Sequence, residues 1–300
     1  MNPVIFDFGP FALSWYGVFL VSGALIVVWL AARYASNAGE RTGHLSALLA
    51  WALIGGVIGA RLDYVFTTSL SGIGWAYYRA YPLEIINIWQ GGFHGLGFYG
   101  ALAGGLVATV LYCWRHHLDI LLYLDFIAPN LLLGQAIGRM GNYVNQELYG
   151  TATSLPWAFH IDPNYPCQVP PALPPTIQLC GTSGLTAESR VWYAEHGFQP
   201  TFAYAAAWDF IMFYVLAILI ERSGHRLRKG DGLWLYCIVY PLGRFWLGFF
   251  WPQPWTWIGL GPTQWVSLGL LGLSMTIMIM RHWHWSWYAQ PAESLAVLQG

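Results

Sequence analysis

"LLYLDFIAPNLLLGQAIGRMGNYVNQELYG", residues 121–150, is the stretch on which the fold turns. Its first part is an almost unbroken apolar run of the length that carries a helix across a bilayer, roughly 20 residues. Its end is polar: Arg139, Asn142, Asn145 and Glu147 crowd together in a chain of which only 9% is charged. On a helix Gln135, Arg139, Asn142 and Gln146, spaced by four, three and four, share one face. Gly134, Gly138 and Gly141 form a neighbouring stripe where small residues let helices approach closely. The segment therefore reads as a tightly packed spanning helix that ends in a polar strip.

The rest of the chain has the same character. With 56% hydrophobic residues and a mean hydropathy of +0.46, it carries more apolar surface than a soluble domain of 300 residues can bury. Apolar segments recur near 11–32, 46–66, 96–114, 121–141, 202–220, 232–250 and 264–280. They are continuous, without the alternation of barrel strands. The expected fold is an all-α integral membrane protein of about seven transmembrane helices, a single transmembrane domain over 1–300.

Orientation follows from the basic residues, which cytoplasmic loops retain. With the N-terminus outside, the inner loops and C-terminal flank hold Arg33, Arg41, Arg115, Arg222, Arg226, Arg228, Lys229 and Arg281. The outer loops hold only Arg79 and Arg190. This asymmetry predicts an N-terminus outside and a C-terminus in the cytoplasm. Residues 151–200 then form an extracytoplasmic loop region, and the Trp-rich tail at 281–300 an interfacial anchor. The loop suits either recognition of an incoming substrate or no specific role. Cys167 and Cys180 lie on that oxidising side, either as a disulfide or as two free thiols. Cys113 and Cys237, at or within helices, read as packing residues. The first apolar run is long and lacks a basic flank, so no cleavable signal peptide is expected. The near-neutral balance, −1 with His neutral, gives no electrostatic case for nucleic acid.

Three arginines, Arg61, Arg139 and Arg244, fall inside or at the ends of the predicted helices. Each costs about 2.5–3.5 kcal/mol on insertion scales and so faces a cavity or a partner. Arginine binds phosphate bidentately and stays charged in a low dielectric, so an anionic ligand fits, and the nearest abundant phosphate in a bilayer is a lipid headgroup. The competing reading neutralises the arginines internally with Asp63, Asp125 and Glu147. The run "GLGFYG" at 95–100 matches a dinucleotide fingerprint in letters alone, since no strand precedes it and no βαβ unit surrounds it. No internal repeat or pair of broken helices points to a transporter.

At this level the chain resembles the bacterial prolipoprotein diacylglyceryl transferases. "GRMGNYVNQELYG" is close to the family signature, in which G-R-x-G-N precedes a second Asn, a Glu and a Gly. "GPFALSWYGVFLVSG", "GARLDYVF", "LDFIAPNLLLGQAIGR", "QPTFAYAAAWDF" and "YPLGRFWLGFF" resemble its other helices in the expected order. The resemblance implies an inner-membrane, multi-pass enzyme with an outward-facing active site. It would move the diacylglyceryl group of phosphatidylglycerol to the lipobox cysteine of a prolipoprotein signal-peptide region and release glycerol phosphate. Neither metal nor organic cofactor is implied. By position, Arg139 and Arg244 become the phosphate and lipid ligands. Tyr16, Arg61, Tyr64, Asn142, Asn145, Glu147 and Gly150 complete the pocket, and Asp125 is structural.

The chain departs from the family pattern at several points. Where the family commonly has His, sometimes Tyr, before a glycine, the best fit here is Tyr99-Gly100, after a short insertion containing His94. The proton-handling group is then Tyr99 or a shifted His94, the latter otherwise a solvated loop histidine. Gln199-Pro200 replaces His-Pro, Ala205 and Gly248 replace expected acids, and a basic residue near Trp251 is missing. These changes leave an alternative in view: a diverged member that binds anionic phospholipid but uses another acceptor or performs no chemistry.

Overall fold

The computed structural model describes residues 4–7, 12–70, 74–85, 98–162, 195–223, 226–253 and 255–283. His94, Cys167, Cys180, Arg190 and the tail beyond 283 lie outside the described residues.

Helix α1 (Trp15–Asn37) starts later than its apolar segment because Ser14 caps it, its hydroxyl accepting from Gly17 N at 3.1 Å. Before it, strands β1 (Val4–Asp7) and β2 (Ala12–Ser14) pair antiparallel. There follow α2 (Gly43–Leu70), a short α3 (Gly74–Ala80), a 3₁₀ turn at Pro82–Ile85, α4 (Phe98–Arg115) and α5 (Ile120–Val144). The strands β3 (Ala152–Thr153), β4 (Phe159–His160) and β5 (Gly197–Phe198) form a small sheet with β5 in the middle. The chain continues through α6 (Thr201–Ser223), α7 (Asp231–Leu247) and α8 (Pro262–Trp283).

Each apolar segment read from the sequence is thus a helix. Five of the described helices are long and apolar enough to cross a membrane: α1, α2 over Gly43–Phe66, α5, α6 and α8. The α4 and α7 helices have 18 and 17 residues. At about 1.5 Å per residue these lengths fall somewhat short of the roughly 30 Å hydrocarbon core. Leu20, Val21, Leu25, Trp29 and Ile54, among many other large apolar side chains, point outward where a soluble protein would place charge. The chain is a mostly helical membrane protein.

Glycine sets the closest crossing. Where α2 meets α4, a side chain on Gly59 would overlap the carbonyl of Gly100, and one on Gly104 that of Gly55. The α1 and α5 helices run antiparallel, with Gly23 against Gly134 and Tyr16 against Gly141. Between these pairs lies an apolar core that includes Ala31, Ala35, Leu45, Leu48, Cys113 and Phe126, so Cys113 packs as expected.

At the opposite end from the polar strip, Asp125 accepts from the backbone N–H groups of Gly230 at 2.5 Å and Leu233 at 3.1 Å. It satisfies the free amides at the start of α7 and so orients that helix against α5. Nearby Asp231 is fully buried and anchors the end of α8, 3.1 Å from Arg281 Nε and 2.8 Å from His282 Nε2.

Candidate functional site: an arginine-lined crevice

Arg139 on α5 and Arg244 on α7 line one crevice, together with Ala205, Trp208 and Asp209 of α6 and Tyr240, Gly243 and Leu247 of α7. Three helices therefore bring together two guanidiniums that lie far apart in sequence. Arg139 makes a single long hydrogen bond, from Nη1 to Asn142 Oδ1 at 3.5 Å. Four of its five N–H donors have no hydrogen-bond partner among the described residues. Arg244 lies 4.3 Å from the centroid of the Trp251 ring, a cation–π contact that fixes its stem.

The signature residues form a chain of bonds behind Arg139. Asn142 donates from Nδ2 to Glu147 Oε1 at 2.8 Å, and Asn145 donates to the same oxygen at 3.4 Å. One amide thus links the arginine to the carboxylate, and Arg139 and Glu147 make no direct ion pair. The α5 helix ends at Val144, with Asn145 as its C-cap. Gln146 consequently leaves the polar strip: its backbone turns left-handed, at φ 54, and its side chain accepts from Asp162 N at 2.7 Å. Of the glycine stripe, Gly134 and Gly141 face α1, whereas Gly138 faces open space.

The loop after α5 is locked to its neighbours. Gly150 N donates to Gln199 O at 2.8 Å, Thr151 N to Phe250 O at 2.8 Å, and Thr201 Oγ1 to Leu148 O at 2.5 Å. A side chain on Gly150 would strike the Phe250 carbonyl, so only glycine fits this close approach. Trp251 donates from Nε1 to Thr201 Oγ1 at 2.8 Å, tying the ring beneath Arg244 to the same knot.

Tyr16 packs against Gly141, within electrostatic range of both Glu147 and Arg139. Arg61 is elsewhere: Nε donates to Ile85 O at 2.8 Å and the guanidinium lies 5.5 Å from the Tyr64 ring. It does not line the arginine crevice. Asp63 accepts from Gly100 N at 2.9 Å at the start of α4, where Tyr99 is the second helical residue.

Asp125 is committed to backbone amides and Asp63 binds one, so neither lines the crevice. Asp209 is a residue that sequence reading missed. Among the described residues it is the one carboxylate lining the crevice, 4% exposed, and it interacts electrostatically with both Arg139 and Arg244. It lies one helical turn beyond Ala205, on the same face of α6. A single Asp within the apolar run "YAAAWDFIMFYV" was the available signal. At Gly248 the reason for the missing side chain is steric: a Cβ there would sit 2.6 Å from Gln264 Cγ. Gln264 fills that place from α8, accepting from Gly261 N at 2.8 Å and donating to Phe245 O at 3.2 Å.

Fold and site together define a polytopic helical membrane protein with an arginine-lined crevice formed by three of its helices. The chain belongs to the prolipoprotein diacylglyceryl transferase family, whose profile, described as Prolipoprotein diacylglyceryl transferase, matches residues 3–280. It is 34% identical over 249 residues to the phosphatidylglycerol–prolipoprotein diacylglyceryl transferase of Limosilactobacillus reuteri, covering 82% of this chain and 79% of that protein. It is 32% identical over 279 residues to the protein of the same name from Streptococcus agalactiae, covering 92% and 95%. A third relative so named, from Trichormus variabilis, is 33% identical over 249 residues, covering 82% of this chain and 77% of its own length. The resemblance read from the residues is borne out, and the chain is a membrane transferase of lipoprotein biosynthesis.

Proposed function

We propose that this protein transfers the diacylglyceryl group of phosphatidylglycerol to the lipobox cysteine of prolipoproteins, with Arg139 and Arg244 holding the lipid phosphate. The carrying observation is the convergence of these two guanidiniums, from separate helices, on one crevice backed by the Asn142–Glu147 pair. In the reaction the cysteine sulfur bonds to the glycerol carbon as the carbon–oxygen bond to phosphate breaks. The electron pair leaves with the phosphate oxygen, glycerol phosphate departs, and the thiol proton is released. Guanidiniums at that oxygen stabilise the charge as it develops. A free thiol, of pKa about 8.5, is mostly protonated at neutral pH, so a base assists. Tyr99 or His94 takes that part in this reading. Tyr16, Asn145 and Gly150 shape the pocket, and Arg61 with Tyr64, on α2 and outside the crevice, contributes further lipid contacts.

In this reading the chain is a single transmembrane domain of the bacterial inner membrane, crossing seven times, N-terminus out, C-terminus in, with the crevice toward the outer side. The distribution of basic residues supports that orientation. Ala205 and Gly248, which leave Asp209 as the crevice carboxylate, favour a second reading in which lipid binds without transfer.

One assay separates the two: purified protein, phosphatidylglycerol in detergent and a lipobox peptide, with mass spectrometry of the peptide cysteine. The first reading predicts a diacylglyceryl adduct that Arg139→Ala abolishes. It also predicts at least tenfold slower transfer by Arg244→Lys, because an ammonium cannot reproduce the bidentate fork. Bound phosphatidylglycerol with no adduct would select the second reading.

A further inference from the structure

Resting on the reading that Arg139 and Arg244 hold the lipid phosphate, we infer that Gln135 and Tyr236 seat the free glycerol beyond that phosphate. They thereby select a lipid whose head carries hydroxyls.

Gln135 shares a face of α5 with Arg139 and lies one turn farther from the polar end of that helix. Its Nε2 donates to the hydroxyl of Tyr236 on α7 at 2.9 Å, which fixes the amide. Its Oε1 is buried and has no hydrogen-bond partner among the described residues. Tyr236 stacks on Tyr240, with ring centroids 5.7 Å apart and planes inclined by 14°, and Tyr240 lines the arginine crevice. Asp209, another lining residue, is within electrostatic range of Tyr236. The Gln135–Tyr236 pair is thus the layer next inward from the crevice. Buried polar atoms in folded proteins nearly always have a partner, and an orphan beside a ligand site finds it on the ligand.

Farther in, buried Leu132, Phe213 and Leu216 pack together with Tyr236 against them, so the bundle is closed there to acyl chains. The chains stay with the bilayer. The part of phosphatidylglycerol left to reach this layer is the glycerol on the far side of the phosphate. Its chemistry matches: a hydroxyl donates to Gln135 Oε1, and with the amide turned the other way the same hydroxyl accepts from its nitrogen. An alkyl head does neither. The fold has already taken water from this amide, so the incoming hydroxyl loses only its own. Transfer breaks the bond between a phosphate oxygen and the diacylglyceryl carbon, on the opposite side of phosphorus from the free glycerol. The contact is therefore alike in the bound lipid and in the transition state, and such uniform binding sets KM rather than kcat.

The test compares two lipids of the same acyl chains on the full-length protein in detergent. Phosphatidylpropanol is a phosphodiester of the same charge as phosphatidylglycerol, and its three-carbon head lacks the hydroxyls. The wild type should bind phosphatidylglycerol at least tenfold more tightly. Gln135→Met, which keeps bulk and removes the amide, should weaken phosphatidylglycerol about tenfold and leave phosphatidylpropanol unchanged. In transfer it should raise KM for phosphatidylglycerol about tenfold while kcat changes less than twofold. Tyr236→Phe, which frees the amide from its anchor, should raise KM less. A merely structural pair would weaken both lipids together. Equal binding of the two lipids by the wild type overturns the inference whether or not the variants fold. A folded Gln135→Met that weakens both lipids alike, or that loses kcat at unchanged KM, overturns it too. If transfer proceeds and Arg139→Ala stops it while the two lipids bind equally, only the glycerol seat fails. If the wild type neither transfers nor binds phosphatidylglycerol, the functional reading fails with it.

Discussion

Asn142 serves two charged groups with one amide, accepting from Arg139 and donating to Glu147. Hydrogen bonds to charged groups contribute about 1.5–3 kcal/mol. Asn142→Ala should therefore lower kcat/KM for peptide modification by roughly 10- to 100-fold. Asn145→Ala, which loses only a 3.4 Å contact, should lower it less; initial rates on the lipobox peptide give the order. An equal loss from both would contradict this order and show that the 3.4 Å contact matters as much as the 2.8 Å one. At this scale the sequence was informative where polar residues cluster. Arg139, Asn142, Asn145 and Glu147 do meet, because helical spacing and a C-cap bring them together. It misled at Gln146, which lies past the helix end, where periodicity no longer applies. It marked Asp209 only as a lone acid in an apolar run, and its meeting with Arg139 and Arg244 depends on how α5, α6 and α7 pack.

Among the elements, the α2–α4 crossing carries the tightest backbone approach, through Gly55, Gly59, Gly100 and Gly104. Gly59→Val would push a branched side chain into the Gly100 carbonyl and should destabilise by about 1–3 kcal/mol, the usual range for overpacking. Gly56→Ala, whose methyl would meet Ala101 O at an ordinary 3.4 Å, should be tolerated. Thermal unfolding in detergent checks the pair, and equal melting temperatures would mean that the crossing yields. All seven apolar segments read from the sequence are helices, since a long apolar run in a membrane must satisfy its own backbone. Their ends were less legible. The α1 helix begins at Ser14's cap and runs on to Asn37, well past the apolar segment that ended near 32. The small-residue stripe was read on α5, but the closest crossing lies elsewhere, because a glycine's role depends on the helix opposite it.

For the whole molecule, the signature end of α5 and the Asp231 clasp lie at opposite ends of the bundle, and the basic residues gather at the latter. Orientation is therefore testable with two exposed positions, Ser154 and Asn37. In a background without the native cysteines, Ser154→Cys should react with a membrane-impermeant maleimide added to intact cells. Asn37→Cys should react only after the membrane is opened. The reverse pattern would invert the topology and place the crevice at the cytoplasmic face.

The most direct measurement is a structure of the wild-type protein with phosphatidylglycerol bound. The account predicts the phosphate between Arg139 and Arg244, its oxygens within about 4 Å of both guanidiniums, the usual ion-pair limit. A phosphate seated instead beside Arg61 and Tyr64, with the crevice unchanged, would contradict it.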